Sequence, residues 1–253
     1  MSQDDVDVTR TLLLDDKYRS VRKMSYIALD VPSIDNALKW VEFFDDIVDG
    51  YKIGLQLFHA GGERIVDELL KREKRVFLDM KLHDIPNTVK GALRAICDSP
   101  IEMINVHALG GRRMMEAARS AVDDSPYHPL LIAVTILTSM SDGELTAVGI
   151  EKGALSEVEK LAVLAECSGM DGVVASAKEL SSIRRVTAST FEIVVPGTRP
   201  VGAILHDQQR TLTPGEAVAQ GASHLVLGRA VLQADRPLKA LFEIWDDMRN
   251  NLV

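Results

Sequence analysis

The chain has 253 residues, of which 46% are hydrophobic and 26% are charged, and it is long enough to bury one sizeable core. Its formal net charge of -8 argues against non-specific nucleic-acid binding, and no apolar run approaches the roughly 18 residues that cross a membrane. The acidic N-terminus and the two cysteines, Cys97 and Cys167, in predicted helices indicate a cytoplasmic protein with buried thiols.

Short apolar runs alternate with amphipathic segments from Tyr26 onward, which predicts strands alternating with helices. The predicted strands cover 26–30, 51–54, 76–81, 103–107, 130–137, 172–175, 192–195 and 224–227. The predicted helices cover 33–44, 63–71, 87–98, 112–122, 156–167, 177–186, 214–220 and 237–250. Residues 1–24 are predicted to be an N-terminal extension, and residues 25–253 a single catalytic domain.

Eight strand-helix units without a Pro-, Gly- or Ser-rich linker predict an α/β protein with one closed (β/α)8 TIM barrel. A doubly wound open sheet is the alternative. Dinucleotide-binding open sheets carry a glycine fingerprint after the first strand, whereas this chain has Asp30-Val31-Pro32-Ser33 there. The barrel is therefore favoured.

Three charged residues lie where the third predicted strand ends. Alternate residues of a strand share a face, so Asp79 and Lys81 are predicted to point the same way, and Asp84 follows at the turn. Two acids and a lysine thus converge at one strand-to-helix junction. A structural interpretation stays open, in which Asp84 caps the helix that Pro86 starts and Asp79 with Lys81 is an ordinary ion pair.

Polar residues also follow the other predicted strands, and in a barrel the carboxyl ends of the strands form the active face. They are Asp30, Lys52, Asn105 with His107, Thr138, Gly197 with Arg199, and Gly228 with Arg229. Loops after strands seven and eight of a barrel commonly bind phosphate through glycine N–H groups and cationic side chains. A phosphate site is therefore predicted at the last two pairs.

Together these stretches resemble the orotidine 5'-phosphate decarboxylase family from Ile27 to about residue 245. The similar stretches are Ala28-Leu29-Asp30, Lys52-Ile53-Gly54, Phe77 to Thr88, Asn105 to Ala108, Thr135 to Ser139, Pro196 to Pro200, Asp207 to Arg210 and Gly228-Arg229-Ala230. The resemblance implies a carboxy-lyase that needs no metal or cofactor. Such an enzyme removes CO2 from orotidine 5'-monophosphate and gives UMP, in the last step of de novo pyrimidine synthesis.

The same resemblance implies roles for individual residues. Lys81 is expected to donate the proton to C6 of the pyrimidine, and Lys52, Asp79 and Asp84 to complete an alternating array of charges. Asp84 and Thr88 are expected to reach the neighbouring site of a homodimer. The substrate ligands implied are Asp30 at a ribose hydroxyl, Lys52 and Asp79 beside the reacting group, Thr138 near the base, and Arg199, Gln208, Gly228 and Arg229 around the phosphate.

Two other functions stay open. Related barrels that share the Asp-x-Lys-x-x-Asp pattern act on sugar phosphates through a metal-stabilised enediolate, but they carry glutamate where Lys52 stands, and a lysine there repels a divalent cation. A non-catalytic nucleotide-binding barrel is the second alternative, although mere binding does not need so many charges.

Other residues are assigned supporting roles. The rim residues His83 and His107 are expected to hold loops by hydrogen bonds. Segments 139–153 and 201–206 are expected to act as lids over the ligand.

Overall fold

Eight parallel strands, β1 to β8, form a closed barrel in sequence order in the computed structural model, which describes residues 16–198 and 212–252. The strands are β1 Ser25–Ala28, β2 Gly50–Gly54, β3 Arg75–Leu82, β4 Met103–His107, β5 Leu130–Val134, β6 Gly172–Val174, β7 Glu192–Pro196 and β8 His224–Leu227. β8 pairs with β1 through Tyr26 and Val226, which closes the barrel. The predicted (β/α)8 fold is confirmed.

Helices surround this barrel and connect consecutive strands. They are α1 Arg19–Lys23, α2 Ile34–Phe44, α3 Leu55–Gly61, α4 Glu63–Leu70, α5 Pro86–Ile96, α6 Arg112–Asp123, α7 Asp142–Ala147, α8 Gly153–Cys167, α9 Leu180–Val186, α10 Pro214–Ala219, α11 Arg229–Leu232 and α12 Pro237–Asn250. All eight predicted helices are present, with bounds that differ by at most three residues. Four short helices, α1, α3, α7 and α11, have four to seven residues each and are absent from the sequence prediction.

The inner face of the barrel changes character along the strands. Tyr26, Phe77 and Met103 belong to a small apolar cluster that fills the interior, while the neighbouring residues Ile27, Leu78 and Ile104 pack outward against the helices. Two residues beyond Phe77 and Met103, on the same strand face, lie the buried polar residues Asp79 and Asn105. The barrel interior is thus apolar at the level of Phe77 and Met103 and polar at the carboxyl ends of the strands.

The described part of the N-terminal extension packs against the last helix. The Tyr18 ring lies 5.5 Å from Phe242 and 5.8 Å from Trp245. The Ser25 hydroxyl donates to Val21 O and accepts from Nε1 of Trp245, which ties α1, β1 and α12 together. The division of the chain at residue 25 stays a prediction.

One of the two thiols does not follow the prediction. Cys97 is buried, but Cys167 is exposed. The buried face of α8 includes Ala165, and Cys167 lies two residues further on, about 200° around the helix. The prediction of a buried Cys167 was therefore wrong. No helix within 16–198 or 212–252 is long and apolar enough to cross a membrane.

Candidate active site

The end of β3 departs from regular strand geometry at Lys81. β3 pairs with β4 at Phe77 and Leu78, and the register then shifts before Leu82. Within this irregular stretch Lys81 has a φ of 49°, in the left-handed region that L-residues rarely adopt. Its ammonium group nevertheless lies 2.6 Å from Oδ1 of Asp79. Asp79 and Lys81 therefore point together, as predicted, although the strand is not regular.

Asp79 lies between two lysines. Its Oδ2 is 3.1 Å from Nζ of Lys52, and the same ammonium is 3.1 Å from Oδ1 of Asp30. The charges therefore alternate from Asp30 through Lys52 and Asp79 to Lys81, and we call these four residues the charge array. Lys52 and Asp79 are buried, whereas Asp30 reaches solvent.

The array keeps the Asp79 carboxyl ionised. Burial is the strongest single influence on this group and raises its pKa. The positive charges of Lys52 and Lys81 and the hydrogen bonds from Lys81 and Asn105 act in the opposite direction. Their combined effect is larger, so the pKa of Asp79 lies below its ordinary value.

The charge array lines a cavity of about 410 Å³, a size that suits a small-molecule ligand. Gly197, directly after β7, and Gly228 and Arg229, where β8 leads into α11, line the cavity too. Thr138 contributes to the wall, and Phe77 from the barrel interior is one of its apolar lining residues. The cavity thus combines ionic, apolar and glycine-lined surfaces.

Seven of the predicted site residues therefore share one cavity, namely Asp30, Lys52, Asp79, Lys81, Thr138, Gly228 and Arg229. Asp84 and Thr88 are exposed and do not line it. The N-cap of α5 is Ile85 rather than Asp84, so the capping interpretation was wrong, although Asp84 accepts a hydrogen bond from the Ile85 N–H. Arg199 and Gln208 lie outside the described residues, as does the predicted lid at 201–206.

A family model described as Orotidine 5'-phosphate decarboxylase / HUMPS family matches residues 24–244. The chain belongs to this family. An orotidine 5'-phosphate decarboxylase of Chromohalobacter salexigens is 50% identical over 218 residues, which are 86% of this chain and 92% of the relative. One from Alkalilimnicola ehrlichii is 48% identical over 215 residues, which are 85% of this chain and 92% of the relative.

A solved structure agrees with the sequence relatives. The crystal structure of orotidine 5'-phosphate decarboxylase from Lactobacillus acidophilus has a TM-score of 0.80 and 32% identity, and the match covers 89% of this chain and 99% of that chain. The predicted family resemblance and the prediction of an enzyme are confirmed.

The sequence analysis assigned no role to two residues beside the charge array, Asn105 and Gly54. Asn105 donates from Nδ2 to Oδ1 of Asp79 over 2.7 Å, and its Oδ1 accepts from the Lys81 N–H over 2.7 Å. A Cβ at Gly54 would lie 2.9 Å from Nζ of Lys52 and 3.3 Å from Oδ1 of Asp30, so glycine leaves the space that the Lys52 ammonium needs. The alternation of β4 places Asn105 on the inner face, but its partners depend on the strand register.

The rim histidines stack on each other. The rings of His83 and His107 have centroids 5.4 Å apart at an interplanar angle of 30°. Nδ1 of His107 is buried and has no hydrogen-bond partner among the described residues. Burial, followed by His83 and Lys81, lowers the pKa of His107, which favours a neutral ring. The two histidines were expected to hold loops by hydrogen bonds; the structure instead shows a ring contact that joins the end of β4 to the segment after β3, and, within the described ranges, no hydrogen bond at Nδ1 of His107.

The other predicted lid is partly helical. Residues 139–153 contain α7, which begins after Ser141, and a capping box formed by Ser141 and Glu144 stabilises its first turn. Thr138, directly before this segment, lines the cavity. The segment therefore starts at the ligand cavity, and its motion as a lid stays a prediction.

Proposed function

We propose that this chain converts orotidine 5'-monophosphate to UMP and CO2 without a metal or an organic cofactor. The observation that carries the proposal is the charge array in the wall of a cavity that apolar residues, glycines and an arginine also line. Family membership and the names of the relatives support the choice of substrate.

The polar cavity residues suggest one orientation of the substrate. Gly197 and Gly228 have no side chains, so their backbone can approach a phosphate closely, and the Arg229 guanidinium supplies positive charge. Asp30 then accepts a hydrogen bond from a ribose hydroxyl, and Thr138 lies near the base. By the family resemblance, Arg199 and Gln208 join the phosphate site.

Loss of CO2 leaves the electron pair of the broken C–C bond on C6 of the pyrimidine. With no cofactor ring to delocalise this charge, the site must stabilise it with fixed positive groups. Lys81 is suited to this role because Asp79 holds its ammonium group at 2.6 Å. The ammonium donates a proton to C6, which forms the C6–H bond of UMP. The neutral amine then regains a proton from water, to which the partly exposed Lys81 has access.

Lys52 supports a reaction without a metal ion. Its ammonium occupies the position between the carboxylates of Asp30 and Asp79, where a divalent cation would need to bind. A metal-dependent sugar-phosphate enzyme needs oxygen ligands to hold its cation at such a place. The buried lysine therefore favours the decarboxylase over that alternative.

We also propose that the protein works as a homodimer in which Asp84 and Thr88 of each subunit complete the site of the other. Both residues are exposed beside the end of β3. Ile85, between them, is 68% exposed, and two further exposed apolar side chains are Leu55, the first residue of α3, and Leu109, in the turn after β4. Burying such side chains against a second subunit is favourable.

Mixing two inactive variants tests the shared site. Unfolding and refolding Asp84→Ala together with Lys81→Ala forms mixed dimers in which one of the two sites has neither substitution. Activity that returns only in the mixture supports the shared site. If each variant is inactive and the refolded, dimeric mixture stays inactive, the proposed role of Asp84 is wrong.

The choice between a metal-free and a metal-dependent reaction has a direct test. Purified protein is given orotidine 5'-monophosphate in excess EDTA and, separately, in Mg²⁺, and the loss of substrate absorbance is followed. The proposal predicts equal turnover in both. Turnover only with Mg²⁺ would favour the metal-dependent relatives, and binding without turnover would favour a nucleotide sensor.

A further inference from the structure

Asn105 is a fully buried polar residue on the inner face of β4. Met103, two residues earlier on the same face, belongs to the interior apolar cluster, while Ile104 and Val106 pack in the outer core. A buried carboxamide costs free energy unless its donor and acceptor both find partners. Because Asn105 lies above an apolar layer, the partners of its hydrogen bonds show which groups it holds in place.

Both ends of the Asn105 carboxamide act on the same lysine. Its oxygen accepts from the backbone N–H of Lys81 at 2.7 Å, and its amide donates at 2.7 Å to Oδ1 of Asp79. That oxygen also accepts from the Lys81 ammonium. The orientation of the amide follows from these partners, because a rotated group would place NH2 against an N–H and oxygen against a carboxylate.

The Lys81 backbone requires such support. A left-handed conformation is unfavourable for a non-glycine residue, and it persists only where neighbouring groups impose it. The shift in register between Leu78 and Leu82 interrupts the regular β3–β4 pairing around Lys81. The Asn105 oxygen supplies an acceptor for the Lys81 N–H at this irregular point.

We propose that Asn105 is a positioning residue for the reacting lysine, since its carboxamide holds both the left-handed backbone of Lys81 and the carboxylate oxygen that binds the Lys81 ammonium. The inference rests on the proposed function and extends it to the neighbouring strand. Asn105 is not among the described residues that line the cavity, so it acts through Asp79 and Lys81 rather than on the substrate.

Loss of this contact has a definite kinetic consequence. Without the acceptor, the Lys81 backbone is free to relax to an ordinary extended conformation, which redirects its side chain. The cavity wall itself keeps its lining residues. A displacement of about 1 Å of a reacting group costs on the order of 100-fold in rate. We therefore expect Asn105→Ala to lower kcat by about that factor and to change KM much less.

Two variants and one control separate positioning from folding. Asn105→Asp keeps the shape and an acceptor for the Lys81 N–H, but at neutral pH it loses the donor to Asp79. Because protonation of the new carboxyl restores a donor, its kcat should rise relative to that of Asn105→Ala as the pH falls. The control is Ser25→Ala, which removes a buried hydrogen-bond group at the other end of the barrel and should keep the wild-type kcat.

A second readout does not depend on turnover. The ¹³C NMR titration of the Asp79 carboxyl should give a higher pKa in Asn105→Ala than in wild type, because a hydrogen bond that stabilises the carboxylate is lost. If wild type fails to turn over, the proposed function fails, while this titration still tests the contact. Should Asn105→Ala not fold, the isosteric Asn105→Asp is tested in its place. Wild-type kcat in folded Asn105→Ala, a kcat of Asn105→Asp that does not rise as the pH falls, or an unchanged Asp79 pKa would overturn the inference.

Discussion

The charge array makes Asp79 important for stability as well as for chemistry. Asp79→Asn keeps the shape of the side chain but removes the negative charge between Lys52 and Lys81. The Lys52 side chain is only 9% exposed and would retain one carboxylate contact, at 3.1 Å to Asp30. A buried ammonium that loses one of its two counter-charges is stabilised much less, so the folded state should lose stability.

The size of this loss follows from burial. Breaking a buried ion pair by removing one partner typically costs about 3 to 5 kcal/mol. Here Asp30 remains beside Lys52, and the Lys81 side chain is 30% exposed and can be hydrated. Both features place the expected loss of folding free energy at the lower end of this range, at about 3 kcal/mol. This corresponds to roughly two orders of magnitude in the folding equilibrium constant.

A surface ion pair provides the matched control. Arg94 and Asp124 are also 3.1 Å apart, but their side chains are 58% and 56% exposed. Asp124→Asn should therefore cost less than about 1 kcal/mol. Urea unfolding at one protein concentration measures both variants, with the change read from the midpoint at constant slope.

A second substitution tests whether the uncompensated lysine causes the loss. Adding Lys52→Met to Asp79→Asn removes the buried cation and should recover part of the lost stability, although not the activity. The explanation would be refuted if Asp79→Asn were no more costly than Asp124→Asn, or if Lys52→Met made the first variant less stable still.

Three further predictions concern the pH dependence of stability, the reactivity of the two thiols and the space beside Gly54. Because the pKa of Asp79 is depressed by folding, its stabilising effect is complete above the unfolded value of about 3.9 and is lost as the pH falls through the folded value. The stability difference between wild type and Asp79→Asn should thus be constant from about pH 8 to 5 and shrink in urea titrations below about pH 4; a difference that grows there would contradict the assignment. Burial raises the pKa of the Cys97 thiol to about 11, so a thiol reagent should label one cysteine per folded chain, Cys167, and labelling of both would refute this. Gly54→Ala should lower kcat by displacing the Lys52 ammonium, and a folded variant with unchanged kcat would show that the site accepts a methyl group.

The fold could be predicted because the eight strands and eight of the helices have recognisable apolar patterns. Apolar runs with helical segments between them predict a barrel without knowledge of any contact. The ends of the strands were predicted less accurately than their order, as the fifth strand shows. The apolar pattern extends to Leu137, but β5 ends at Val134, since Ile136 is buried in the loop that follows rather than in the sheet.

Part of the site could also be predicted from a local sequence pattern. Asp79 and Lys81 lie on one strand end, where local alternation determines direction. The contact between Asn105 and Lys81 could not be predicted, because it depends on a register shift between β3 and β4 and on a positive φ in a non-glycine residue. Asp84 and Thr88 do not line the cavity of their own chain, and the roles proposed for them require a second subunit, which a single chain does not contain.

Proton donation by Lys81 is the central step of the proposed reaction. The decisive measurement compares turnover of orotidine 5'-monophosphate in EDTA by wild type, Lys81→Ala and Lys74→Ala. Lys74 is a partly buried lysine just before β3, at the opposite end of the same strand, where its ammonium contacts Asp45 O and Val48 O. We predict metal-free turnover by wild type and Lys74→Ala, and a loss of at least about 100-fold in Lys81→Ala. Turnover by Lys81→Ala at the wild-type rate, or none by folded wild type in EDTA, would contradict the account.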